Sequence, residues 1–146
     1  MPTNTTAKKK TRRKLPQRRT RWQISSSRVS VLKPKTVADF AMPKLMRIVK
    51  SLTLSAAAEF LGVDRSQLSR CVKGKEAIGP ELARRIANVD FFLDRASHLL
   101  WPDEIGPWLT SPEPLLGGSV PLNVLILSGA AQVVGALEAR VGGAFA

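Results

Sequence analysis

Six side chains with hydrogen-bonding heads stand within residues 65–73: Arg65, Ser66, Gln67, Ser69, Arg70 and Lys73. These types suit a nucleic acid. An arginine fork donates twice to guanine, a glutamine amide pairs with adenine through two hydrogen bonds, and serine or lysine reaches phosphate. To act as a set they must share the outer face of one helix, with Leu68 turned inward to hold that helix to its support. The same residues also fit a structural helical hairpin whose cations make a solvated face.

Other chemistry is sparse. His98 follows Asp94 and Asp90 at steps of four, which on a helix suits a stabilising charge pair better than a base or a metal site. One histidine and one cysteine in 146 residues cannot make a disulfide or a Cys/His zinc site within one copy. Cys71 adjoins Val72 and reads as a buried, inert thiol. The chain has no Gly-rich phosphate loop, nucleophile elbow or metal-ligand spacing. The sequence therefore points away from an enzyme, with no catalytic residue, cofactor, metal or small-molecule substrate.

The elements that would position the cationic cluster are helices. Thr36 caps a short turn through Phe40, and Pro43 suits a first helical position. Leu45, Ile48, Val49 and Leu52 then follow at the spacing of one buried face. Thr53 starts a helix over Leu54–Leu61, whose Ala56, Ala57 and Ala58 permit a close neighbour and which Gly62 ends. Asp64 begins a third helix from Arg65 to Val72, closed by Gly74. Gly79-Pro80-Glu81 opens the longest helix, with a seam of Leu82, Ile86, Val89, Leu93, Ala96 and Leu100. Phe91, Phe92 and Leu99 widen that seam toward the C-terminal segment or a second copy. Three further helical pieces follow, Asp103–Leu109, Pro121–Leu127 and Ala130–Val141, separated by Gly and Pro.

Charge divides the chain. Twelve cations, from Lys8 to Lys35, precede the first acid, Asp39. The remaining 11 cations face 11 acids, so the net charge of +12 resides entirely in the first 35 residues. That arm is rich in Lys, Arg, Ser, Thr and Pro and is expected to be disordered. Its partner is anionic, either nucleic acid or a membrane surface. No apolar leader follows the basic start, which predicts a cytoplasmic chain. The uncharged stretch Pro114–Leu137 is broken by Pro121, Asn123, Ser128 and Gln132, and reads as soluble core with no membrane span.

The segment AEFLGVDRSQLSR, residues 58–70, resembles the helix-turn-helix of the Xre-like phage-repressor family. That similarity implies Arg65, Ser66, Gln67 and Arg70 as base readers on double-stranded operator DNA, with Ser69 and Lys73 nearer phosphate. After it comes an ordered series: Trp108-Leu109-Thr110-Ser111-Pro112, Leu116-Gly117-Gly118, Pro121-Leu122, then Gly129, Val133, Leu137 and Gly143. It ends in a tail expected to be mobile from Gly142 to Ala146. The series is similar to the toxin-binding domain of Xre-type antitoxins of the MbcA and ParS family, although the basic arm is no part of that pattern.

This resemblance implies an antitoxin that binds a RES-domain toxin consuming NAD or transferring ADP-ribose, blocks its active site with its C-terminal residues, and represses its own operon. Gly143, Phe145 and Ala146 would approach the toxin pocket, while Trp108, Leu109, Pro112 and Pro121 would build the toxin-binding domain. The expected architecture is all-α: a flexible basic arm over residues 1–35, a helix-turn-helix domain over 36–100 and a small helical toxin-binding domain over 101–146. Reading two half-sites calls for a homodimer or higher oligomer in a bacterial cytoplasm. Two alternatives stand beside this one. One is a plain helix-turn-helix repressor with a C-terminal self-association domain; the other is a partner-binding adaptor whose helix-turn-helix no longer binds DNA.

Overall fold

Thr36 opens the first helix with a reciprocal cap. The Asp39 N–H donates to Thr36 Oγ1 at 3.3 Å, and the Thr36 N–H donates to Asp39 Oδ2 at 2.7 Å. The hydrogen bonds from Thr36 hold the Asp39 carboxyl below its ordinary range. In the computed structural model, which describes residues 35–143, this helix, α1, runs unbroken over Val37–Ser51. The break expected between Phe40 and Pro43 is absent. Pro43 lies inside α1 on its exposed face, where its ring meets solvent, while Ala41 and Leu45 are buried on the other side. Apolar burial on one side thus carries the helix through a residue that removes a backbone donor.

The remaining elements follow the punctuation of the sequence: α2 Leu54–Leu61, α3 Arg65–Val72, α4 Pro80–Ala96, α5 Pro102–Thr110, a 3-10 turn Pro114–Leu116, α6 Pro121–Ser128 and α7 Ala130–Gly143. The described residues contain no strand, so the fold is all-α. α4 is the spine. It starts with Pro80 in its first turn and packs against α1, α2, α6 and α7. It ends at Ala96, a turn short of the expected Leu100; Leu99 and Leu100 are half-buried beyond it.

One hydrophobic cluster joins all of these helices. Leu45 and Ile48 of α1, Leu61 of α2, Leu68 of α3, Ile86, Val89 and Phe92 of α4, Leu109 of α5, Leu125 of α6 and Val133 and Leu137 of α7 are completely or almost completely buried. The core therefore continues across position 100, and the C-terminal helices rest on the long helix, as a segment too small to fold alone requires. On α4, Phe92 is fully buried, Leu93 is half-buried against the core, and Phe91, expected to widen the same seam, is exposed.

Ion pairs clip the surface of this bundle. Arg47 meets Asp90 through two hydrogen bonds, at 3.1 and 2.7 Å, joining α1 to α4. Arg95 reaches Glu138 at 2.6 Å, joining α4 to α7. Such exposed pairs stabilise little and serve mainly to fix orientation. No helix of the described residues is long and apolar enough to cross a membrane.

Candidate functional site

The cationic cluster is presented by a short two-helix unit. Thr53 Oγ1 accepts from the Ala56 N–H at 3.2 Å and starts α2. Ala57 and Ala58 are buried where α2 meets its neighbours. Gly62 then adopts φ 63°, ψ 39°, the left-handed conformation that closes a helix, and the Val63 N–H donates back to the Ala58 carbonyl at 3.0 Å. Arg85 of α4 satisfies the end of this helix: its Nη1 donates to the carbonyls of Leu61 and Gly62 at 3.3 and 3.1 Å.

A Cβ at Gly62 would stand 3.2 Å from both Arg85 Nη1 and Ile126 Cδ1. Gly62→Ala is therefore expected to destabilise the fold by about 1–2 kcal/mol through its positive φ alone, with crowding added. Chemical denaturation of the full chain would show this, and an unchanged midpoint would refute it.

After the turn, α3 buries Leu68 and Cys71. Arg65, Ser66, Arg70 and Lys73 are exposed, and Gln67 and Ser69 are half-buried, so the six cluster residues occur on one short helix and its C-terminal cap. Asp64 is the N-cap residue, although its side chain makes no capping hydrogen bond. Burial pushes the Cys71 thiol up, and the nearby Glu76 carboxylate adds to this, which keeps it an un-ionised core group.

The sequence reading missed Glu76. Its carboxylate accepts from Arg70 Nε at 2.7 Å and from Gln67 Nε2 at 3.3 Å, so it lies against two of the expected base readers. Nothing in its loop setting announces that role.

At the other end, the Trp108 ring stacks on Phe92 with centroids 6.0 Å apart and planes 9° from parallel. Its Nε1–H donates to Glu113 Oε2 at 2.9 Å, and Arg140 Nη1 donates to the same oxygen at 2.9 Å. Glu113 Oε1 accepts from the Leu115 N–H at 3.4 Å. This carboxylate is only 3% exposed and fastens α5, the 3-10 turn and α7 together. The sequence signal for it is solitude: Glu113 is the one acid between Glu104 and Glu138.

Burial pushes the Glu113 carboxyl up, but the hydrogen bonds from Arg140, Leu115 and Trp108 outweigh it and leave the group below its ordinary value. A carboxyl depressed on folding stabilises the fold above its unfolded pKa, and the contribution is lost as pH falls through the folded value. Glu113→Gln keeps the shape and loses the charge. We expect it to cost about 1–3 kcal/mol at neutral pH and to flatten the loss of stability on acidification. Melting curves of both proteins from neutral to acid pH would test this, and parallel curves would remove Glu113 from that role.

Trp108 and Leu109 are buried, Pro121 is fully buried at the start of α6, and Pro112 is exposed. The first three can therefore shape the surface around α5–α7 but do not form it. Gly143 is exposed at the last position of α7, so Gly142 and Gly143 are helical and do not begin a tail. Phe145 and Ala146 lie outside the described residues, as does the basic arm up to residue 34.

His98 falls beyond the end of α4. Its Nδ1 lies 2.8 Å from the Asp94 backbone carbonyl, with the Asp94 carboxylate uninvolved, and Asp90 is engaged by Arg47. Among the described residues no group of three or more His, Cys, Asp or Glu could hold a metal ion.

No protein-family model and no curated protein sequence matches the chain. A solved structure does: a chain of the M. tuberculosis MbcT-MbcA toxin-antitoxin complex is similar to it with a TM-score of 0.59 and 17% sequence identity, over 72% of this chain and 96% of that one. That likeness spans nearly the whole of the solved chain and establishes that this protein shares its all-helical fold.

Proposed function

We propose that the protein is the antitoxin of a toxin-antitoxin pair. It neutralises a RES-domain toxin that consumes NAD or transfers ADP-ribose, and it binds operator DNA to regulate its own synthesis. The observation that carries this reading is the fold shared with nearly the whole of a chain from a toxin-antitoxin complex. The MbcA- and ParS-like sequence features of the C-terminal segment agree with it. In this reading α5–α7, built around Trp108, Leu109 and Pro121 with Pro112 at the surface, form the toxin-facing region. Gly143, Phe145 and Ala146 enter the toxin's active site. α2 and α3 act as a helix-turn-helix in which Arg65, Ser66, Gln67 and Arg70 read bases while Ser69 and Lys73 hold phosphate. The arm adds salt-sensitive attraction to DNA.

The active form is a homodimer or higher oligomer in the bacterial cytoplasm, so that two α3 helices meet two half-sites. Self-association finds support in the exposed Phe91 of α4, which borders a groove of about 1120 Å³ lined by α1, α2, α4 and α5. The same groove favours the second reading, a plain repressor whose C-terminal helices serve assembly alone.

Co-expression with the product of the adjoining reading frame, followed by co-purification, separates the two. A stable complex with a RES-domain neighbour whose growth inhibition disappears supports the antitoxin. A neighbour that neither binds nor is neutralised removes that reading and leaves the repressor.

A further inference from the structure

Gly74 adopts φ 70° and turns the chain back at the end of α3. The Lys75 and Glu76 N–H groups then both donate to the Arg70 carbonyl, at 2.8 and 3.3 Å. This local fold delivers the Glu76 side chain to the outer face of the helix. Gln67 and Arg70 are neighbours there, three residues apart, and one carboxylate bridges them.

The bridge leaves both partners competent to read. Arg70 has Nε committed but keeps its two terminal nitrogens, the pair that can donate side by side to guanine. Gln67 spends one N–H and retains its Oε1 and a second N–H, the acceptor and donor that adenine requires. The Arg70 side chain is 53% exposed and Glu76 34%, so the pair sits within reach of a duplex. An unrestrained arginine has many rotamers and is drawn to any phosphate. Held by a carboxylate, it loses less freedom on contact and has its charge balanced.

Resting on the DNA-binding part of the function proposed above, we propose that Glu76 is a specificity-determining positioning residue. It fixes Gln67 and Arg70 in a base-facing orientation and suppresses their attraction to phosphate. Such a residue separates affinity for the correct sequence from affinity for any sequence, two quantities that a merely structural role would move together.

The test is a binding titration of the full chain on the DNA upstream of its own reading frame and on a scrambled duplex of equal length, across a salt series. Glu76→Gln removes the charge at constant shape. We expect the ratio of operator to scrambled affinity to fall about tenfold, as for a weakened bidentate contact. Scrambled-duplex binding should strengthen, with a salt slope steeper by about one. Glu76→Asp keeps the charge on a shorter stem. It should retain the wild-type salt slope while losing part of the ratio. If the wild-type chain discriminates and both variants keep its ratio and slope, the role of Glu76 is overturned while DNA reading stands. A wild-type chain that prefers neither duplex overturns both.

Discussion

On the proposed function, a chain ending at Gly142 is expected to lose neutralisation of the partner toxin, while its affinity for operator DNA stays within about twofold of the full chain, the ordinary tolerance for a surface change remote from an interface. The structure makes this loss specific. Leu137 is the last fully buried side chain of α7, Val141 is half-buried, and Gly142 and Gly143 are exposed, so the buried part of α7 precedes the truncation point. Neither α3 nor any residue packed beneath it is touched.

What is lost is a helix end and one aromatic side chain, Phe145, the type of group that fills a partner's pocket with large apolar area. Purified toxin assayed for NAD turnover, with and without the two antitoxin forms, gives the answer directly. If the shortened chain still inhibits at equal concentration, the active site is blocked by something other than the C-terminal residues.

Replacing Arg65 and Arg70 together by Ala has the next largest effect. Each bidentate base contact is worth about 1–3 kcal/mol of discrimination. Two acting independently give roughly 2–6 kcal/mol, a loss of operator affinity between about 30-fold and more than 10⁴-fold. The two positions lie at the first turn and toward the end of α3, both exposed, so the fold should survive the change. Binding to scrambled DNA should weaken less, because the arm and Lys73 still meet phosphate. Titrations at fixed salt distinguish the cases. Equal losses on operator and scrambled duplexes would mean that these arginines touch only backbone, and no loss would remove α3 from DNA altogether.

The helices flanking the candidate DNA surface were legible because their punctuation is local. Thr53, Gly62, Gly74 and Pro80 act on the backbone within one turn of themselves, and the observed bounds of α2, α3 and the start of α4 follow them. Pro43 misled for the complementary reason: it signals a break locally, but the burial of Ala41 and Leu45 against the rest of the core overrides it. Phe92 was legible as an apolar residue that widens the α4 seam toward the C-terminal segment, and its stacking on Trp108 of α5 agrees with that.

The two acids that organise the candidate surfaces were invisible to spacing arguments. Glu76 acts through a backward turn that depends on Gly74, and Glu113 joins residues five and 27 positions away. Charge partners brought together by folding leave no period in the sequence. For the same reason the sequence placed Trp108 in the C-terminal helical unit without showing that its indole N–H is taken by Glu113.

Gly62 and its neighbours bear on how such a protein can diverge. The turn between α2 and α3 is overlaid by Ile126 of α6 and braced by Arg85 of α4, and the core beneath is shared by front and rear helices. Recombination that grafted a new tail region onto the old reading head would strip the cover from Gly62 and open a common interior to water. The two ends are thus physically tied, and on the proposed function a change of partner is expected to come by successive substitution along α6 and α7 instead of by exchange of cassettes.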